Sequence, residues 1–313
     1  MPERMHEMMP DHEDHSDAMT NGASEATRAA RDGRVPMRIV IPNVITTAAL
    51  CAGLASMHFA IKATFASPPD TSMLAANWNK ALLAVAFAAL FDALDGRTAR
   101  LLHGESRFGV VLDSLSDFVA FGVAPAMMLY LWLAKNPETL KQDAHVTAAV
   151  MTFALCSALR LARFTAAANE PAGGDDEPED SAGRRDLPPA LAKKFFTGMP
   201  TPAAAGCVLI PVMLKQSRTI DFETKESWVS WVVAGFTLLI AWLMISRVPM
   251  FSFKKMRLRK GWIAPLLAAI GLILGLIVRD PWLALAAIAG TYLLTLPLSV
   301  WTHRKLFVMS GAA

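Results

Sequence analysis

The chain has 313 residues, of which 54% are hydrophobic and only 18% charged, with a formal net charge of +3. A soluble domain usually carries about 25% charged residues, and the mean hydropathy here is +0.36. The apolar residues fall in long blocks, so a soluble globular domain is excluded and the class is an all-α, polytopic membrane helical bundle.

Residues 1–35 are polar and lack the apolar core of a secretory signal, so they read as a disordered cytoplasmic tail. His6, His12 and His15 stand there among Asp11, Glu13 and Asp14, a solvated acidic stretch rather than a metal site. About eight transmembrane helices follow, at roughly 39–63, 80–102, 108–134, 145–167, 199–215, 228–246, 262–278 and 282–302. Cys51, Cys156 and Cys207 each lie in an apolar block without a CxxC pair and read as small buried hydrophobes. The basic residues sort to alternate connections: Arg28, Arg31, Arg34 and Arg38 first, then Arg97, Arg100 and Arg107, then Arg184, Arg185, Lys193 and Lys194. The run from Arg247 to Lys260 and the pair Arg304 and Lys305 complete the series. The positive-inside rule then puts both termini in the cytoplasm. Three units result: the tail 1–35, a membrane domain 36–250 with cytoplasmic loop 168–198, and a basic loop with a C-terminal helical hairpin over 251–313. The fourth connection carries Glu170, Asp175, Asp176, Glu177, Glu179 and Asp180 and reads as a mobile acidic loop. The sixth, Lys254 to Lys260, reads as a topology signal that also meets anionic lipid. At a membrane surface no nucleic-acid partner is expected.

One stretch breaks the apolar pattern. From Phe91 to Phe118 the chain reads FDALDGRTARLLHGESRFGVVLDSLSDF. A charge at membrane depth costs several kcal/mol unless paired, hydrated or bound to metal. Asp92, Asp95, Gly96 and Ala99 follow i, i+3, i+4 and i+7, one helix face. Gly109, Asp113 and Asp117 follow i, i+4 and i+8, again one face. The segment between Arg100 and Gly109 can turn the chain and bring the two faces together. Clustered carboxylates repel unless a cation neutralises them, and oxygen-only ligands favour Mg²⁺, Mn²⁺ or Ca²⁺ over zinc. Capping, or ion pairs with Arg97, Arg100 and Arg107, would explain any one of these aspartates but not four on two matched faces. Gly96, Ala99 and Gly109 permit close helix packing or close approach of a ligand. Arg100 offers a positive fork for phosphate oxygens. A metal site beside an arginine suggests a diphosphate substrate.

The spacing Asp92-x2-Asp95-Gly96-x2-Ala99-Arg100-x8-Gly109-x3-Asp113-x3-Asp117 resembles the signature of the CDP-alcohol phosphatidyltransferases, eight defined positions over 26 residues. The resemblance implies two divalent ions, Mg²⁺ or Mn²⁺, held by Asp92, Asp95, Asp113 and Asp117, with Asp117 as general base. It also implies that Gly96, Ala99, Arg100, Ser106 and Gly109 meet the nucleotide-diphosphate part of CDP-diacylglycerol. Further segments resemble the phosphatidylserine synthase branch: Ile41–Thr46 with its PNxxT pattern, Asp113–Ala126, Ala158–Phe164 and Phe196–Ala205. Pro42, Asn43 and Thr46 would then lie near the cytidine end, with Pro42 at a helix start where its missing N–H is no loss. Ala49 and Thr165 stand where that branch often carries asparagine.

Serine as acceptor needs a cation for its carboxylate. Arg160 and Arg163, at i and i+3 on an apolar helix, offer one; lipid-phosphate binding and interfacial snorkelling are the other readings. Gly198, Pro200 and Thr201 shape a turn into the fifth helix, whose N-terminus can hold an anion, or simply form a proline-rich helix start. The implied reaction is CDP-diacylglycerol plus L-serine giving phosphatidylserine and CMP, at the cytoplasmic face of the plasma (inner) membrane. The implied assembly is a homodimer in membrane lipid. Competing readings are a phosphatidylglycerol phosphate or phosphatidylinositol phosphate synthase of the same family, a cation transporter and a non-catalytic scaffold.

Overall fold

The computed structural model describes residues 37–65, 71–102, 104, 106–134, 144–169, 195–217, 227–246, 249–251 and 263–310. The tail 1–35, the acidic loop 170–180 and the basic run 254–260 lie outside them. The first helices are α1 (Met37–Thr64), α2 (Thr71–Leu102) and α3 (Arg107–Asp117). α3 runs through a π-type turn, Phe118–Val123, into α4 (Ala124–Leu133). Then come α5 (Ala144–Asn169), β1 (Phe195–Thr197), α6 (Thr201–Val208), α7 (Ile210–Gln216), α8 (Ser227–Ile245) and β2 (Pro249–Phe251). α9 (Ile263–Arg279) and α10 (Pro281–Ser310) close the chain. Among the described residues, five helices are long and apolar enough to cross a membrane: Met37–Thr64, Ser72–Leu102, Arg107–Leu133, Ala144–Ala166 and Trp228–Ile245.

The buried seam of α1 explains the tight front of the bundle. Pro42, Thr46, Ala49, Gly53, Ser56, Ala60 and Ala63 are its buried residues, alternating steps of four and three. That is one helix face, and every member is small enough to let a neighbouring backbone close in. α2 makes the most extensive helix contact with α1 among the described residues, and α3, the π-type turn and α4 also pack on α1. At Gly53 the approach is closest, since a Cβ there would lie 2.8 Å from Ala120 Cα. The main core sits further along the bundle, with Leu82, Met128, Leu129, Phe153, Val208, Leu209, Val212 and Ile240 almost wholly buried.

Several expectations change. α2 starts at Thr71 rather than near residue 80. Its first turns, TSMLAANWN, are too polar to register as apolar yet hold no helix breaker. The fifth span is broken at Leu209, because Pro211 supplies no N–H to the turn before it. The seventh and eighth contain shorter apolar helices, Leu267–Arg279 and Pro281–Thr295. Pro42 is not at the start of α1 but inside it, one turn beyond Arg38. Among the described residues the bundle is helical except for β1 and β2, which pair antiparallel with Phe196 opposite Met250. Cys156 and Cys207 are buried as expected, whereas Cys51 is exposed on the face of α1 away from its seam. Asp280 is the N-cap of α10: its Oδ1 accepts the Leu283 N–H at 3.1 Å and its Oδ2 accepts the Ser217 hydroxyl at 2.7 Å. Pro281 fills the first helical position, where no N–H is needed.

Candidate active site

The last turns of α2 and the first of α3 bring the carboxylates together. Single oxygens of Asp92, Asp95 and Asp113 all lie within 4.8 Å of one another. Asp117, one turn beyond Asp113, lies within hydrogen-bond reach of Asp92. Asp95 and Asp92 act electrostatically on Asp113, the other three aspartates act on Asp117, and Asp117 in turn acts on Arg160. Three carboxylates, those of Asp92, Asp95 and Asp113, with hard oxygen donors at this spacing fit a divalent cation of the Mg²⁺, Mn²⁺ or Ca²⁺ type, and Asp117 stands beside them against Asp92.

Beside them lies a cavity of about 290 Å³. Its walls are Pro42, Asn43 and Thr46 from α1, Asp95, Gly96, Ala99 and Arg100 from α2, Gly104 and Ser106 from the link, and Gly109, Val110 and Asp113 from α3. All eight residues expected at the nucleotide-diphosphate end thus line one cavity. The local chemistry that builds it is visible. Ser106 is the N-cap of α3, its hydroxyl oxygen accepting the Gly109 N–H at 3.0 Å. A Cβ on Gly109 would come within 2.9 Å of Asn43 Oδ1 and 3.1 Å of Ser106 Oγ, so any side chain there would push these two groups aside. At Gly96 the nearest atom to such a Cβ is Arg100 Nη2 at 3.8 Å, so packing leaves that side of the cavity bare. Arg100 folds back along α2, Nε donating to the Gly96 carbonyl at 2.9 Å.

The acceptor candidates separate. Arg160 Nη1 donates to Thr201 Oγ1 at 2.8 Å, and its guanidinium lies 4.6 Å from the Phe164 ring centroid. Its Nε is buried without a partner among the described residues, and Asp117 and Tyr292 both act on it electrostatically. Gly198 is buried with φ +77°, the left-handed region glycine adopts freely, and Pro200 caps α6 just before Thr201. Arg163 is exposed on the outer side of α5. Arg160 and Thr201 are thus brought to the aspartates, whereas Arg163 is not.

Gly104, Val110, Ser116 and Tyr292 were not singled out by sequence reasoning. Gly104 presses on the turn of α1 where Pro42 has no N–H to give, and a Cβ there would overlap the Arg38 carbonyl. A glycine in the short link after Arg100 was the available signal. Ser116 donates to the Thr46 carbonyl at 3.1 Å. Thr165, from α5, meets Ser114 at 2.9 Å and so holds α5 against α3.

A profile of the CDP-alcohol phosphatidyltransferases matches residues 39–245, from the first turn of α1 to the end of α8. The chain belongs to this family. The phosphatidyltransferase region therefore includes every helix that lines the cavity, and with its five long apolar helices the chain is an integral membrane protein. Among its relatives is a protein of Mycobacterium leprae (strain TN) named CDP-diacylglycerol–serine O-phosphatidyltransferase. It is 32% identical over 281 residues, covering 90% of this chain and 81% of the relative. A relative of the same name from Helicobacter pylori (strain J99) is 30% identical over 256 residues, 82% of this chain and 88% of its own. One from Bacillus subtilis (strain 168) is 28% identical over 215 residues, 69% of this chain and 92% of its own.

Proposed function

We propose that this chain transfers the phosphatidyl group of CDP-diacylglycerol to L-serine, giving phosphatidylserine and CMP. The observation that carries the reading is the joining of the carboxylate cluster to a cavity walled by the family's nucleotide-side residues. Relatives named for the serine reaction over most of both lengths support the acceptor.

In this reading Asp92, Asp95, Asp113 and Asp117 hold two divalent ions, Mg²⁺ or Mn²⁺. Bound there, such ions supply positive charge against the diphosphate and against the charge that builds on departing CMP. Pro42, Asn43, Thr46, Gly96, Ala99, Arg100, Ser106 and Gly109 surround the nucleotide and diphosphate, with Arg100 facing phosphate oxygens. Asp117 takes the proton of the serine hydroxyl. The serine oxygen forms its bond to the phosphorus that carries diacylglycerol, and the bond from that phosphorus to the CMP oxygen breaks. Arg160, steadied by Thr201, holds the serine carboxylate. Gly198 and Pro200 fix where Thr201 stands, and Arg163 meets acceptor or lipid phosphate at the rim. The site opens to the cytoplasmic side of the plasma membrane, with both termini on that side and eight helical passes in all. Residues 36–250 form the catalytic domain, residues 251–313 append the C-terminal hairpin, and two copies pair as a homodimer.

The test is CMP release by purified protein given CDP-diacylglycerol with serine, glycerol phosphate or inositol phosphate. Serine alone is expected to support release, and Asp117→Asn to lower it by at least about 100-fold while the protein still folds. Release supported by one of the other acceptors instead, or a wild-type rate for Asp117→Asn, would overturn the reading.

A further inference from the structure

α1 and α2 meet at the site through one side chain. The Thr46 hydroxyl lies 2.8 Å from Asp95 Oδ2 and 3.1 Å from the Pro42 carbonyl. A hydroxyl has one proton to donate, and an ionised acceptor at the shorter distance makes the stronger bond. Both residues are buried, Thr46 at 4% exposure and Asp95 at 5%. Ser116, 2% exposed, donates its own hydroxyl to the Thr46 carbonyl at 3.1 Å. A polar chain therefore runs from α3 through α1 to α2, the two outer helices being those that carry the carboxylates. Thr46 also lines the cavity, but its proton points to Asp95 rather than outward.

We propose that Thr46 is a positioning residue: its hydroxyl fixes the orientation of the Asp95 carboxylate for a divalent cation, and Ser116 fixes Thr46 relative to α3. This rests on reading the carboxylate cluster as a cation site. The physical argument is that a carboxylate already held in its ligating orientation loses less freedom when the ion binds. Loss of such an outer partner typically weakens metal binding by about 10- to 100-fold. This role acts on the ion and is additional to the place of Thr46 at the nucleotide end, since a nucleotide contact alone would act on CDP-diacylglycerol and leave Mn²⁺ binding unchanged.

The experiment is a Mn²⁺ titration of the full-length protein in detergent, followed by the electron paramagnetic resonance signal of free Mn²⁺. Thr46→Val keeps the shape and removes the hydroxyl; Thr46→Ser keeps the hydroxyl. Thr46→Val is expected to raise the Mn²⁺ dissociation constant at least about 10-fold, Thr46→Ser less than about twofold, and Ser116→Ala by an intermediate factor. The proposal fails if Thr46→Val binds Mn²⁺ as the wild type does, or if Thr46→Ser is as weak as Thr46→Val. It fails equally if the valine variant raises the KM for CDP-diacylglycerol and leaves Mn²⁺ binding untouched. Asp95→Asn separates the two levels: if it too binds Mn²⁺ normally, the cation site itself is wrong, not only the role of Thr46.

Discussion

α1 and α9 are both apolar helices with small residues at helical spacing, and they meet opposite fates. In α1 the small residues are buried along one seam, and Gly53 touches the backbone of Ala120. In α9, Gly271 and Gly275 stand four apart, the spacing at which two membrane helices can close on each other. Yet a Cβ on either would meet nothing within 4 Å, and Leu272 between them is 75% exposed. Small residues permit close approach without causing it. What closes α1 on its neighbours is the addition of polar ties, Thr46 to Asp95 and Ser116 to Thr46, that only one arrangement satisfies. Among the described residues α9 has no such tie to the site helices; its main neighbour is α10.

Adding one methyl group at three glycines tests this contrast. The largest effect is expected at Gly109, where the new Cβ pushes on Asn43 and Ser106 at the cavity wall. Overpacking costs about 1–3 kcal/mol. Gly109→Ala should therefore lower the rate of CMP release at limiting CDP-diacylglycerol by roughly 10-fold or more. Next comes Gly53→Ala, far from the cavity but against backbone. It should lower stability in detergent by about 1–3 kcal/mol, read as a fall in Tm, with CMP release by the folded fraction kept. The smallest belongs to Gly271→Ala, expected to change stability by less than about 0.5 kcal/mol. A Tm loss at Gly271 equal to that at Gly53 would mean that α9 is closely packed in the working protein, and the contrast would collapse.

The parts of the site that lie within one helix were legible in the sequence. Asp92, Asp95, Gly96 and Ala99 share a face because helical geometry places them there, and the same holds for Gly109, Asp113 and Asp117. Relations between helices were not. The bond from Thr46 to Asp95 joins residues 49 apart, and the one from Ser116 to Thr46 joins residues 70 apart. Spacing along a helix cannot reveal such pairs. Gly104 escaped notice for the same reason, because its need for bareness comes from α1. The start of α2 was misplaced because apolarity marks where a helix enters lipid, not where it begins. The β1–β2 pair was missed because three residues on each strand are too few to show an alternating pattern.

The π-type turn at Phe118–Val123 begins directly after Asp117. One residue more than an α-turn advances everything beyond it by about 100° around the axis. The halves of this span before and after the turn are therefore indexed separately. Ala120 and Phe121 seat the turn against α1 and α2, so the half before it keeps its aspartates in the carboxylate cluster. The half after the turn is free to follow a different pattern of lipid-facing and core-facing residues. In mechanical language the turn is a clutch: it lets one continuous rod serve two orientations, and a single-residue deletion inside it would force both halves back into the same phase.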